Sequence, residues 1–184
     1  MLTQEEKDAH VLALGFCALF NRTAHGILAG GCARDILMGN APKDYDLWVL
    51  SDETVANTLD NLKHLHNAAV AAGIDSKIAV TRVYHDKYQG APERRDIEFV
   101  MKVRFCGVPI DVIKMKREPG QAIGALDVLD SFDFPMNKFA YTLDGNVVGN
   151  GHMQENQYAQ RALGNNRLKY MRDKFPEFNF YDLQ

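Results

Sequence analysis

Two aspartates, Asp44 and Asp46, stand two positions apart in the segment Lys43-Asp44-Tyr45-Asp46-Leu47. Residues two apart on a strand point to the same face, so these carboxylates can share one or two magnesium ions. Magnesium binds a few carboxylates together with phosphate oxygens and water. Because an Asp-x-Asp pair alone is usually a solvated loop or strand end, its chemistry depends on its neighbours in the fold.

A glycine turn precedes the aspartates in the segment Leu28-Ala29-Gly30-Gly31-Cys32-Ala33-Arg34-Asp35. Gly30 and Gly31 allow the backbone to approach a phosphate closely, and the helix that follows presents free amides and the positive end of its dipole. Arg34 can direct its guanidinium group at the same phosphates. A Gly-Gly pair alone is usually just a turn. Followed by two aspartates, it predicts a site for phosphoryl chemistry.

A third carboxylate, Asp111, interrupts the apolar strand from Val108 to Ile113. Burying an aspartate is costly unless it binds a metal or another cation. The alternative is an aspartate on the solvent face of a half-exposed strand. Asp111 is therefore a candidate third metal ligand.

The elements that position these residues follow from the hydrophobic pattern. Strand, glycine turn and helix follow one another around Gly30, and a second strand carries the aspartates. The pattern predicts an α/β (α+β) fold, a small mixed β-sheet flanked by helices with a helical carboxyl-terminal end. The predicted helices are Thr3 to Asn21, Ala33 to Met38, Glu53 to Ala72, Gln121 to Leu129 and Gln154 to Phe175; the predicted strands are Gly26 to Ala29, Asp46 to Leu50, Ile78 to Tyr84, Ile97 to Phe105 and Val108 to Met115, the last two forming a hairpin.

Composition bounds the class of protein. A chain of 184 residues with 46% hydrophobic residues can bury one substantial core. A formal net charge of −3 argues against a protein that coats nucleic acid by bulk attraction. The three cysteines show no paired spacing, the amino terminus lacks the pattern of a signal peptide, and no stretch is long and apolar enough to span a membrane. We therefore expect a cytoplasmic protein with no membrane partner.

These motifs, in this order, resemble the head domain of class II CCA-adding enzymes and bacterial poly(A) polymerases, within the DNA polymerase β-like nucleotidyltransferase superfamily. Gly30-Gly31, Arg34-Asp35 and Asp44-Tyr45-Asp46 are similar to the opening motifs of that family. Later segments continue the resemblance. They are Ile110 to Lys116, similar to the strand with the later acidic residue; Asp133 to Tyr141, similar to the Asp-Phe-Thr-x-Asn-Ala-x-Ala motif; and Arg167 to Phe175, similar to the basic helix that opens the neck domain.

The resemblance implies a nucleotidyltransferase fold, with residues 1–150 as the head domain and residues 151–184 as the start of a neck domain. It implies transfer of a nucleoside monophosphate from a nucleoside triphosphate to an acceptor hydroxyl, with release of pyrophosphate and with Mg²⁺, or Mn²⁺ in its place, as the cofactor. The implied catalytic and metal-binding residues are Asp44, Asp46 and Asp111. The implied nucleotide-binding residues are Gly30, Gly31, Arg34, Asp133, Asn137 and Arg167.

Two departures from the family limit what carries over. Ser131-Phe132 stands where the family has Arg-Arg, and no segment matches the Glu-Asp-x-x-Arg element that reads the base. We therefore expect weak base selection. The resemblance favours an RNA or tRNA 3′ end as the acceptor. A protein or small-molecule acceptor, a non-catalytic nucleotide-binding module, and a subunit that needs a protein partner or a second copy of itself stay open.

Overall fold

The structure is a computed structural model and describes residues 3–52, 54–74, 77–85, 97–118, 120–142, 146–158 and 166–182. Helices and strands alternate up to residue 85, and strands predominate in the rest of the described chain. The helices are α1 (Gln4–Ala24), α2 (Gly31–Leu37), α3 (Val55–Ala71), α4 (Ala125–Asp130) and α5 (Arg167–Lys174), with a 3-10 turn at Pro135–Asn137; the strands are β1 (Gly26–Ala29), β2 (Tyr45–Val49), β3 (Ile78–His85), β4 (Ile97–Phe105), β5 (Val108–Met115), β6 (Phe139–Tyr141), β7 (Val147–Gly149), β8 (Glu155–Tyr158) and β9 (Asn179–Asp182).

Seven strands form the main sheet in the order β3-β4-β5-β2-β1-β6-β7. The β2–β5 pair is parallel, and the other neighbouring pairs of this sheet are antiparallel. The mixed sheet that the sequence predicts is thus confirmed. Within the described ranges, no helix is both long and apolar enough to cross a membrane.

The main sheet packs on both faces. Leu47 and Val112 point toward α1 and α3, where Phe16 and Leu62 join the same cluster. The strand residues that alternate with these point to the other face of the sheet and pack under α4. Their cluster contains Trp48, Ile113, Leu129 and Phe132. A third apolar cluster joins the 3-10 turn to α5 and the β8–β9 pair. Because Asp46 and Asp111 alternate with Leu47 and Val112, they lie on the α4 face.

The β4–β5 hairpin forms with the bounds that the sequence predicts, around the two-residue turn Cys106-Gly107. Both turn residues have positive φ, 49° and 83°, as a tight hairpin turn requires.

Two other parts of the chain are predicted less accurately. The helix predicted from Gln121 begins only at Ala125, because Gly124 precedes it and donates its amide to the Asp127 carboxylate. The short strands β6 and β7 are not predicted at all.

The long helix predicted from Gln154 to Phe175 is wrong in its first part. Glu155–Tyr158 is a strand that pairs in parallel with β9, and only Arg167–Lys174 is helical at the other end. Residues 159–165 lie outside the described ranges. The side chain of Asn156, 0% exposed, accepts a hydrogen bond from the Met136 amide and donates one to the Met153 carbonyl, both 2.9 Å long. Such local bonds compete with a helix.

Candidate functional site

The carboxylates come together because β2 and β5 are neighbours. The register pairs the Cα atoms of Asp46 and Asp111, and adjacent strands lie about 4.8 Å apart. Asp44 precedes β2 by one residue and is exposed, whereas Asp46 is half-buried and Asp111 is buried. The structure thus brings the three predicted acids together. Asp46 and Asp111 lie on the α4 face of two adjoining strands, and Asp44 lies just before β2, close enough for its charge to act on both.

The glycine turn lies directly beside Asp46. A Cβ atom on Gly30 would stand 2.9 Å from the Phe132 ring and 3.5 Å from Asp46 Oδ2. Gly30 has φ +86°, and its amide donates to the carbonyl of Phe139 over 3.1 Å. That amide is therefore engaged within the sheet, and amides available to an anion must come from Gly31 onward, in the first turn of α2.

Burial and mutual repulsion shape the charges of the acids. Burial, and next the negative charges of Asp44 and Asp111, raise the pKa of Asp46 to about 7, against the opposing positive charges of Lys102 and Arg167. Burial also raises the pKa of Asp111, with a smaller contribution from Asp44, while Lys102 opposes the rise. Ionised Asp46 is thus short of positive charge in this structure.

Lys102 is a site residue that the sequence analysis missed. Its ammonium group donates a hydrogen bond to Asp111 Oδ2 from the neighbouring strand β4. The signal was present in the sequence, because counting outward from the two-residue turn at Cys106-Gly107 brings Lys102 opposite Asp111. A buried aspartate such as Asp111 needs a metal or another cation beside it. In the structure this cation is Lys102, from the same chain.

Arg34, predicted to bind phosphates, is buried, with 4% of its surface exposed. Its Nε and Nη2 atoms donate to Asp35 Oδ1 over 2.8 and 2.6 Å, and Nη1 donates to Asn137 Oδ1 over 2.6 Å. The guanidinium carbon also lies 4.7 Å from the centre of the Phe175 ring. These contacts join α2 to the 3-10 turn and to the end of α5, and a phosphate contact by Arg34 stays a prediction.

Asn137, Asp133 and Arg167 lie around the same turn. Asn137 is 2% exposed and binds Arg34, and Asp133 is also buried. Arg167 Nε, at the start of α5, lies 3.3 Å from Asp133 Oδ2. Arg167 is the most exposed of the three, and its charge acts on Asp46. Its guanidinium group therefore lies close enough to Asp46 to stabilise the ionised carboxylate.

The acids of the site differ in how well they could hold a divalent metal ion. Among the described residues, no three His, Cys, Asp or Glu side chains are grouped so as to hold a metal ion. Magnesium, however, commonly takes one or two carboxylates and completes its shell with phosphate oxygens and water. Asp44 and Asp46 fit that pattern, since they are near enough for their charges to interact, and the positive charges of Lys102 and Arg167 leave the pKa of Asp46 raised to about 7. Asp111 fits it less well because Lys102 already neutralises it.

A separate apolar groove of about 830 Å³ lies between α1 and α3. Leu12, Leu19, Leu65 and Ala72 contribute to its lining. These helices cover the sheet face opposite the carboxylates. The groove is therefore no part of the carboxylate site.

Solved structures of CCA-adding enzymes share this fold. The Thermotoga maritima CCA-adding enzyme complexed with tRNA matches 95% of this chain and 39% of its own, with a TM-score of 0.60 and 16% identity. A CCA-adding enzyme with CTP matches 95% of this chain and 40% of its own (TM-score 0.59, 17% identity). A CCA-adding enzyme with ATP matches 93% and 40% (TM-score 0.58, 16% identity). The chain spans about two fifths of these enzymes, and the likeness confirms the nucleotidyltransferase fold.

A family comparison covers most of the chain. The sequence model of the family described as Gabija anti-defense 2 matches residues 3–158. This range includes the glycine turn, the three aspartates and Lys102. No match was found among curated protein sequences.

Proposed function

The chain belongs to the Gabija anti-defense 2 family and has a nucleotidyltransferase fold, and from this premise we propose that it transfers a nucleoside monophosphate from a nucleoside triphosphate to an acceptor hydroxyl. Pyrophosphate is the leaving group. Residues 1–150 would form the catalytic head, and residues 151–184 would correspond to the start of a neck domain. The protein would act in the cytoplasm.

The proposal rests mainly on the short distance between the glycine turn and Asp46. A phosphate held at Gly31 would lie next to the acid, since an added methyl group on Gly30 would stand 3.5 Å from Asp46 Oδ2. The charge of Asp44 acts on Asp46, so the second acid lies near the same turn. A triphosphate bound at Gly31 would therefore lie within reach of both carboxylates, as nucleotidyl transfer requires.

Each residue would have a separate task. Asp44 and Asp46 would hold Mg²⁺, for which Mn²⁺ could substitute, and the bound ion would lower the pKa of the acceptor hydroxyl and neutralise charge on the transferred phosphoryl group. The amides of Gly31 and of the residue after it would bind the phosphates. Arg167 would contribute a guanidinium group from α5, and Asp133 would orient it. Arg34 and Asn137 would hold α2 in place after the glycine turn, through the hydrogen bond between their side chains.

The comparisons favour two different acceptors for the transferred nucleoside monophosphate. The CCA-adding enzyme of similar fold is complexed with tRNA, which favours an RNA 3′ end. The family description instead names opposition to a defence called Gabija. That description favours an acceptor within the defence itself, either a protein or a nucleic acid that it uses. A non-catalytic module that binds nucleotide or a partner is the remaining alternative.

Labelling would test the reaction and identify the acceptor together. The protein is incubated with each α-³²P-labelled nucleoside triphosphate, Mg²⁺, and separate pools of tRNA, total RNA and purified Gabija proteins. We expect label in one pool and release of pyrophosphate. Label in RNA would support an RNA 3′ end, whereas label in a Gabija protein would support the second acceptor. Nucleotide binding without label in any pool would favour the non-catalytic module.

The carboxylate pair provides the matching variants. Asp44→Ala or Asp46→Ala should lower transfer at least about a thousandfold, because each removes a group that holds the metal, with little loss of folding stability. Asp60→Ala is the control, since Asp60 is an exposed aspartate on α3 that pairs with Lys63. Near wild-type transfer by either site variant would contradict the proposed reaction.

A further inference from the structure

Three charged side chains form a row across neighbouring strands of the sheet. The register pairs Lys102 of β4 with Asp111 of β5, and Asp111 with Asp46 of β2. All three lie on the same face, and the Lys102 ammonium group binds Asp111 Oδ2. Asp111 is therefore flanked by a cation on one side and by a carboxylate of the proposed metal site on the other.

We infer that Lys102 acts as a built-in cation that keeps Asp111 from ligating the metal, so that Asp44 and Asp46 hold a single divalent ion. This inference rests on the proposed function and refines it, because the sequence analysis assigned all three aspartates to the metal. Lys102 is a positioning residue in this scheme. It would act on metal ligation through its ion pair with Asp111, and its charge also acts on Asp46.

Burial explains why the ion pair persists when a metal is present. Asp111 is 7% exposed, and its carboxylate has a partner from the same hairpin whose backbone position is fixed. Removing a partner from a buried pair leaves an uncompensated charge, which is strongly unfavourable. A metal bound to the other oxygen of Asp111 would lie close to the Lys102 ammonium group, where the two positive charges repel each other.

Binding of Mn²⁺ alone to the full chain, followed by electron paramagnetic resonance without nucleotide, tests the inference. Wild-type protein should bind one Mn²⁺, and Asp44→Ala should weaken that binding at least tenfold. Lys102→Met should tighten it at least tenfold or add a second ion, since Asp111 then joins the ligands and carboxylate number governs affinity. The charge-balanced Lys102→Met/Asp111→Asn double variant should stay within about threefold of wild type.

The double variant keeps the test decisive if Lys102→Met does not fold, because it leaves no buried unpaired charge. Lys114→Met is the matched control. Lys114 is a 5% exposed lysine of β5 that faces Asp52 and Glu98 at 3.8 and 3.7 Å, so its loss should leave Mn²⁺ affinity unchanged.

Two failures are distinguishable. If the double variant loses Mn²⁺ affinity tenfold or more while Asp44→Ala does so too, Asp111 is a ligand and the inference is overturned with the proposed function intact. If wild-type protein binds no Mn²⁺, or if Asp44→Ala binds it as well as wild type, the metal site of the proposed function is overturned and the inference with it.

Discussion

At Gly30, backbone conformation and close packing both require a glycine. The φ of +86° lies in a region that residues with a Cβ rarely adopt, and the space where a Cβ would stand is bounded by the Phe132 ring at 2.9 Å. Phe132 itself packs edge-on against Trp48, with 5.6 Å between ring centres. The ring therefore has little room to move, and the turn beside Asp46 keeps its shape.

We expect Gly30→Ala to destabilise the fold by about 2–4 kcal/mol, because conformational strain of about 1–3 kcal/mol adds to the collision with Phe132. Gly39→Ala is the control, since Gly39 also has positive φ, +74°, but has no atom within 4 Å of an added Cβ. Urea unfolding of both variants gives the difference. Equal losses at the two positions would mean that Phe132 yields and that packing does not define the turn.

The raised pKa of Asp46 makes stability depend on pH. Between its ordinary pKa of 3.8 and its folded pKa of about 7, the folded protein binds a proton at Asp46 that the unfolded chain does not. In metal-free buffer the contribution of this residue to stability therefore falls as the pH rises through that window.

Asp46→Asn removes the charge that burial penalises. We expect the variant to exceed wild type in unfolding free energy by about 1 kcal/mol or more near pH 8, and the difference to disappear near pH 4. Urea unfolding with EDTA measures it, and Asp60→Asn controls for the loss of an exposed acid. A variant less stable than wild type at the higher pH would show that Asp46 is well compensated by Lys102 and Arg167.

At the scale of elements, Arg34 links α2 to the carboxyl-terminal part of the fold. Its guanidinium group binds Asp35 and Asn137 and lies over Phe175. Lys174 of α5 also approaches Asp35 Oδ2, at 3.4 Å. The helix that follows the glycine turn is therefore held from its buried side by residues about 100 to 140 positions away in the sequence.

We expect Arg34→Ala to lower the free energy of unfolding by about 3–5 kcal/mol, since it leaves Asp35 buried without its main partner. Arg104→Ala is the control, because Arg104 is an exposed arginine whose guanidinium group donates to the Gly107 carbonyl over 2.9 Å. Urea unfolding and nucleotide titration are measured together. Unchanged stability with a large loss of nucleotide affinity would instead support the phosphate contact predicted from the sequence.

Local patterns predict some elements well and others poorly, for physical reasons. The β4–β5 hairpin is predicted with correct bounds because both strands are apolar and a Gly-containing two-residue turn joins them. The β8 strand is missed because its partner β9 lies more than 20 residues away and one of its two buried residues, Asn156, is polar. A polar core residue gives no signal in a hydrophobic pattern, since its hydrogen bonds to Met136 and Met153 form only in the fold.

At the scale of the whole molecule, the proposed contacts with the nucleotide fall on the parts that all nucleotides share. Gly31 and Arg167 would meet the triphosphate, and Asp133 would orient Arg167. We therefore expect this chain to bind ATP, GTP, CTP and UTP with affinities within about tenfold, or roughly 1.4 kcal/mol. Calorimetric titration with Mg²⁺ measures this. A preference of several hundredfold would reveal base-reading groups outside the contacts described.

The acids, glycines and arginines of the candidate site could be named from the sequence, but the contacts of its cations could not. Asp44, Asp46 and Gly30 are recognisable because their spacing is local, and the structure places them side by side. The pairing of Lys102 with Asp111 depends on hairpin register, and the burial of Arg34 depends on Asn137 and Phe175, which are distant in sequence. Their roles in catalysis stay predictions.

The central position of β1 also determines when the turn at Gly30 can form during synthesis. Strand β1 lies between β2 and β6, Ala29 pairs with Ala140, and the Gly30 amide donates to the Phe139 carbonyl. A ribosome adds roughly 5–20 residues each second, so several seconds separate the translation of Gly30 from that of its partner. The β4–β5 hairpin can fold in that interval from local contacts alone. The carboxylates of β2 and β5 can therefore meet before the turn beside them acquires its final hydrogen bond.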